Sequence, residues 1–87
     1  MKLKIFWQDD CPRCPAAKKL GKELEEEGFE VLYYNVRSPD GLAEASFYSV
    51  FSTPGIIIVN EEEEEIAGWR GETPPKEEIY KLINESG

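Results

Sequence analysis

An α/β domain built in the order β-α-β-α-β-β-α is the architecture expected of this chain. Short runs of β-branched and aromatic residues alternate with longer stretches whose apolar residues recur every three or four positions. Proline and glycine punctuate the boundaries between them. A length of 87 residues holds one hydrophobic core and no more. Residues 1–87 therefore read as a single domain, with no internal repeat and no linker.

Within Lys2 to Trp7, the residues Leu3, Ile5, Phe6 and Trp7 make a short apolar run that reads as a buried strand. Gln8, Asp9 and Asp10 follow as a polar loop. A helix is expected from about Cys11, because Pro12 fits a first helical turn where its missing donor has no partner to lose. Ala16, Ala17, Leu20 and Leu24 recur at helical spacing, and Gly28 supplies the stop. Glu30 to Val36 is rich in β-branched and aromatic residues and reads as a second strand, parallel to the first because a helix crosses between them. Ser38 and Pro39 are a cap and first-turn pair, and Leu42, Ala43, Phe47, Val50 and Phe51 form the expected apolar stripe of a second helix that stops before Pro54. Ile56 to Val59 is the most apolar run. After Asn60 and the glutamates Glu61 to Glu65 comes a shorter strand around Glu65 to Ala67, completing a hairpin. Thr73 and Pro74 open a last helix with Ile79, Leu82 and Ile83 on one face, and Gly87 ends the chain.

Composition excludes several function classes. Eighteen acidic residues against ten basic ones give a formal charge of −8, which repels nucleic-acid phosphates and anionic lipid heads. No apolar run approaches the roughly 18 residues of a membrane span, and the run ending at Trp7 is too short for a signal peptide. The expected address is the cytoplasm. Histidine is absent, which removes the commonest acid–base group near neutrality and the commonest metal ligand. Glutamate far outnumbers aspartate and amide residues are few, a usage seen in proteins from hot environments. A thermophilic source is the resulting expectation, and a mesophile melting temperature counts against it.

The chemistry falls to Cys11 and Cys14. A lone C-x-x-C pair in a cytosolic chain points to redox or metal chemistry. A purely structural staple is the weaker reading, because closing so small a loop removes little unfolded-state entropy. Residues three apart in a helical turn lie roughly 5 to 6 Å apart, within the range a disulfide tolerates. A thiolate at Cys11 gains from the helix N-terminus and from the charge of Arg13, while Asp9 and Asp10 act against it. Cys11 at the helix mouth is the expected attacking thiol, and Cys14, a turn deeper, the resolving one. Thr53-Pro54-Gly55 precedes the Ile56 to Val59 strand, and on base rates its proline is trans.

With Cys11-Pro12-Arg13-Cys14 after the first strand, Thr53-Pro54 before the third and Gly68 after the fourth, the chain resembles the thioredoxin superfamily, and within it the small glutaredoxin-like redoxins. The resemblance covers almost the whole chain. It implies a thioredoxin-like, four-stranded mixed sheet flanked by three helices, a cis Pro54 facing Cys11, and a Thr53 that offers backbone hydrogen bonds to a substrate chain as an added strand. Gly68 and Trp69 join the implied substrate site, and Pro12 and Arg13 tune the thiolate. No cofactor beyond the Cys11–Cys14 disulfide is implied, and the expected form is a monomer.

Departures from the pattern define the subclass. Gln8, Asp9 and Asp10 stand where glutaredoxins carry a glutathione-binding lysine, and Arg13 replaces the aromatic residue of their C-P-Y-C. Gly68-Trp69-Arg70-Gly71-Glu72 replaces their Gly-Gly with a following aspartate. These changes count against glutathione as a ligand. Trp69, Gly71 and Pro74 are partly similar to the Trp-x-Gly and proline pattern of redoxins that draw electrons from thioredoxin reductase. That enzyme or a similar donor, with disulfide-containing proteins as substrates, is the expected set of partners. Thioredoxins place a buried aspartate six residues before the first cysteine, and here that position is Ile5.

Trp7 reads as mostly structural, and Glu61 to Glu65 as a solvated turn. Tyr33, Tyr34, Phe47, Tyr48 and Phe51 read as core or near-core. The alternative reading is a metal or iron–sulfur module. Two cysteines supply half a tetrahedral zinc site, so a dimer or the nearby aspartates would have to complete it.

Overall fold

The computed structural model describes residues 1–86. Four strands form one mixed sheet in the order β2-β1-β3-β4. Central β1 (Lys2–Trp7) runs parallel to β2 (Glu30–Asn35) and antiparallel to β3 (Gly55–Val59), which pairs antiparallel with β4 (Glu65–Arg70). Helices α1 (Cys14–Glu26), α2 (Pro39–Phe47) and α3 (Lys76–Ser86) complete the expected order. Gly87 lies outside the described residues.

Strand alternation divides the core in two. Leu3, Ile5, Ile56 and Ile58 pack with Ala17, Leu20 and Leu24 of α1 and Ile79 of α3. On the opposite face, Phe6, Ile57 and Val59 pack with Ala45, Tyr48 and Val50. Lys4 points to that second face and is buried at 1% exposure.

Two helix boundaries differ from the sequence expectation. Helix α1 begins at Cys14, not Cys11. Residues 11–14 form a turn in which the Cys14 N–H donates to the Cys11 carbonyl at 3.3 Å, and Arg13 is the N-cap. Pro15 is the proline of the first helical turn, so the signal assigned to Pro12 belongs three residues later.

Helix α2 starts as expected, with Ser38 Oγ accepting from the Gly41 N–H at 3.1 Å, but it ends at Phe47. The Val50 N–H donates to the Ala45 carbonyl at 2.7 Å and the Ser49 N–H to the Ser46 carbonyl at 3.2 Å, with Ser49 in the left-handed region at φ 56. That is a Schellman stop built on serine. The expected stripe is also displaced: Leu42, Phe47 and Phe51 are 57%, 74% and 81% exposed, whereas α2 buries Gly41 and Ala45. Small residues face the sheet because the helix lies close against it. A Cβ at Gly41 would overlap the Asn35 carbonyl oxygen.

Candidate active site

The strand directions bring the ends of β1, β2 and β4 and the start of β3 to one edge of the sheet, the place where open α/β folds bind their ligands. The loop after β1 carries the cysteine pair. Asp10, in the left-handed region at φ 60, turns the chain from the strand into that loop, a conformation aspartate tolerates better than most residues. Cys11 and Cys14 are joined as a disulfide with their Cα atoms 5.4 Å apart. Cys14 is buried at 3% exposure, while Cys11 is only partly buried. The pair thus presents one accessible sulfur and one shielded sulfur.

Arg13 reaches out of the cysteine turn, and its Nη1 donates to the Gly71 carbonyl at 3.2 Å. The Gly71 N–H in turn donates to the Pro54 carbonyl at 2.8 Å. Gly71 therefore ties the cysteine turn to the loop that enters β3, and its φ of +86 is a conformation suited to glycine. The Thr53–Pro54 bond is cis, the isomer implied by the family resemblance and opposed by the base rate.

Gln8 makes the second tie. Its Nε2 donates to Thr53 Oγ1 at 3.0 Å, and its Oε1 accepts from Arg37 Nε at 3.3 Å. In sequence Gln8 reads only as part of a polar loop, because a single glutamine after a strand carries no signal of partners at positions 37 and 53. Beside the disulfide, a groove of about 480 Å³ is bordered by Trp7, Asp10, Cys11, Pro12 and Lys18. The Lys18 ammonium sits 3.7 Å from the centroid of the Trp7 ring, so the Trp7 ring forms a wall of this groove.

Of the substrate-site residues expected from sequence, Thr53 and Pro54 do reach this edge, but Gly68 does not. It lies inside β4, paired with Ile57, and a Cβ there would clash with Arg70 and Glu65, whose side chains form an ion pair at 2.8 Å. Strand β4 runs three residues beyond the expected Ala67, so the glycine that follows it is Gly71. Trp69 pairs with Ile56 and packs against the α1/α3 core.

Among the described residues, no group of three or more histidine, cysteine, aspartate or glutamate side chains is arranged to hold a metal ion. No described helix is long and apolar enough to cross a membrane.

The profile of a family described as "Thioredoxin domain" matches residues 1–84. A probable thioredoxin of Archaeoglobus fulgidus is 33% identical over 57 residues, which is 64% of this chain and 63% of that one. The match thus spans somewhat under two thirds of the relative's length. A thioredoxin of Methanocaldococcus jannaschii is 34% identical over 61 residues, covering 67% of this chain and 69% of that one. Thioredoxin 1 of Thermosipho africanus shares the fold with a TM-score of 0.70 at 21% identity, over 99% of this chain and 93% of its own. With the fold, the cysteine pair at the end of β1 and the profile match in agreement, the chain belongs to the thioredoxin-domain family.

Proposed function

We propose that this chain is a thiol–disulfide oxidoreductase that reduces disulfides in protein substrates, with Cys11 attacking and Cys14 resolving. The observation that carries the reading is the Cys11–Cys14 disulfide, with Cys11 partly open and Cys14 at 3% exposure. In the reduced form, the Cys11 thiolate attacks one sulfur of the substrate disulfide, forms a mixed disulfide and releases the other substrate sulfur as a thiolate. Cys14 gives up its proton and attacks Cys11 Sγ. The Cys11–Cys14 disulfide is restored, and the second substrate thiolate leaves. Two electrons pass to the substrate, whose two thiolates take up protons.

A donor dithiol must then reduce the pair again. Thioredoxin reductase or a similar enzyme is the donor this reading names, and the acidic surface and the departures around Gln8 and Arg13 argue against glutathione. Thr53 supplies backbone groups to a substrate segment laid beside it as an extra strand. Pro12 and Arg13 adjust the thiolate, and Arg13 does so while anchored on Gly71. Gly68 and Trp69 support β4 from within. The chain acts as a cytoplasmic monomer.

Two measurements test the reading. A Cys14→Ser variant is expected to accumulate a mixed disulfide with a protein substrate and to lose multi-turnover reduction with a reductase donor. Full turnover in that variant overturns the dithiol route. Equilibration against thiol–disulfide buffers is expected to give a two-electron midpoint near that of thioredoxin, about −270 mV, whereas one near about −120 mV marks an oxidant.

A further inference from the structure

We propose that Gln8 is a positioning residue for substrate: it fixes Thr53 for the incoming polypeptide while Arg37 holds its amide in place. The inference rests on the reading of Thr53 as the substrate's backbone partner and adds the group that orients it.

The hydrogen-bond chemistry dictates the direction of the relay. A guanidinium has donors only, so the Gln8 atom that meets Arg37 Nε at 3.3 Å must be the amide oxygen. The amide nitrogen is thereby turned toward Thr53 Oγ1, 3.0 Å away, and must act as donor there. The three partners come from three chain segments that converge at the edge of the sheet: the end of β1, the loop between β2 and α2, and the loop before β3. Arg37 is exposed, and both Gln8 and Thr53 are half-buried, so the relay leads from solvent to the residue preceding Pro54.

Its location also suits this role. Gln8 borders both the groove beside the disulfide and a second groove of about 400 Å³ bordered by Val36, Leu42, Phe51 and Thr53. A polypeptide crossing from one groove to the other passes Gln8. None of these contacts reaches a cysteine sulfur, so the relay acts on where the substrate lies and not on the redox couple.

The test uses Gln8→Met, which keeps the length of the side chain and removes both hydrogen bonds, together with Thr53→Val and the double variant. Each is checked for an unchanged thermal melt. Losing one such bond is expected to raise KM for a disulfide-bearing protein roughly 5-fold in Gln8→Met, with kcat and the midpoint potential of the cysteine pair unchanged. Thr53→Val is expected to do the same, and the double variant no more than the larger single change, because both cut one relay. A wild-type KM in Gln8→Met overturns the proposal, as does full additivity with Thr53→Val or a shifted midpoint potential. The underlying strand reading is judged separately, by hydrogen exchange at the Thr53 amide in the mixed disulfide trapped with Cys14→Ser. No protection there and no KM change in Thr53→Val would sink that reading. A silent Gln8→Met beside a protected Thr53 amide and a raised KM in Thr53→Val sinks the relay alone.

Discussion

On the α1/α3 side of the sheet, Ile5, Ala17, Leu24, Ile56 and Ile79 are all at 0% exposure, and no described charged side chain is buried among them. On the α2 side, the same two central strands bury Phe6, Ile57 and Val59 and also an ammonium group, that of Lys4. The lysine is fully occupied: its Nζ lies 3.1 Å from Glu44, 3.2 Å from Glu63 and 3.2 Å from Tyr48 Oη, and 4.8 Å from the Tyr48 ring centroid. Tyr48 Oη donates onward to the Glu63 carbonyl at 2.7 Å. Burial by itself lowers the tendency of Lys4 to hold its proton, but the hydrogen bonds with Tyr48, Glu44 and Glu63 and the Glu44 charge together outweigh it and raise its pKa above the usual lysine value. One face is held by area and fit. The other spends part of its area on a directional network that ties β1 to α2 and to the β3–β4 hairpin.

The two faces should therefore answer differently to truncation, and the apolar face gives the largest effect. Leu24→Ala removes a side chain at 0% exposure from the apolar cluster that α1 and α3 form with the sheet. It should cost about 3 kcal/mol in denaturant unfolding, the cavity adding to the lost transfer energy. On the α2 face, replacing Glu44 and Glu63 together by glutamine should destabilise the chain by less than Leu24→Ala but measurably, since Lys4 is left buried without a counter-charge. Lys4→Met should change stability by no more than about 1 kcal/mol. It removes the desolvated cation, and the two carboxylates, at 34% and 46% exposure, remain open to water. A loss in Lys4→Met as large as that in Leu24→Ala would show that the network carries net stability, and the contrast between the faces would fail.

How much of this was legible in the sequence follows the same division. The apolar face was legible, because Leu3, Ile5, Leu20, Leu24, Ile56 and Ile58 announce themselves by period and type. Lys4 was not: in a strand it reads as the polar half of an alternation, and its partners stand 40 and 59 residues away. Helix stops show the contrast within one motif. Helix α1 ends in a Schellman turn on Gly28, φ +96, with the Phe29 N–H donating to the Leu24 carbonyl, and glycine marks it in advance. Helix α2 ends in the same turn on Ser49, which carries no such mark, so the apolar residues beyond it read in sequence as a continuing helix. At the site, Cys11, Cys14, Thr53 and Pro54 were legible as motif residues. Gly71 was legible only as part of the Trp-x-Gly pattern, and neither its ties to Arg13 and Pro54 nor those of Gln8 to Thr53 and Arg37 were, because those are set by which strand ends meet. A β4 read as ending at Ala67 put Gly68 where Gly71 stands.

Alkaline pH separates the faces again, with the smallest effect. Tyr33, on the α1 side at the edge strand β2, donates to Glu25 Oε1 at 2.6 Å. Burial first, and then that hydrogen bond and the Glu25 charge, push its pKa from 10.0 up to about 12. The Lys4 pKa is also raised. In both cases the folded state keeps a proton that the unfolded chain releases, so the contribution is complete below the unfolded pKa and is lost as pH rises through the folded one. Stability should hold to about pH 10 and then fall. Tyr33 is 38% exposed, so solvent screening keeps its share small. Urea unfolding at about pH 8 and about pH 11 should show a reduced alkaline loss both in Tyr33→Phe and in Lys4→Met, because each variant removes a group that holds its proton more tightly in the folded state. Equal slopes in Lys4→Met and the parent would mean that the ammonium on the α2 face is already reached by solvent, and the difference between the two faces would then rest on packing alone.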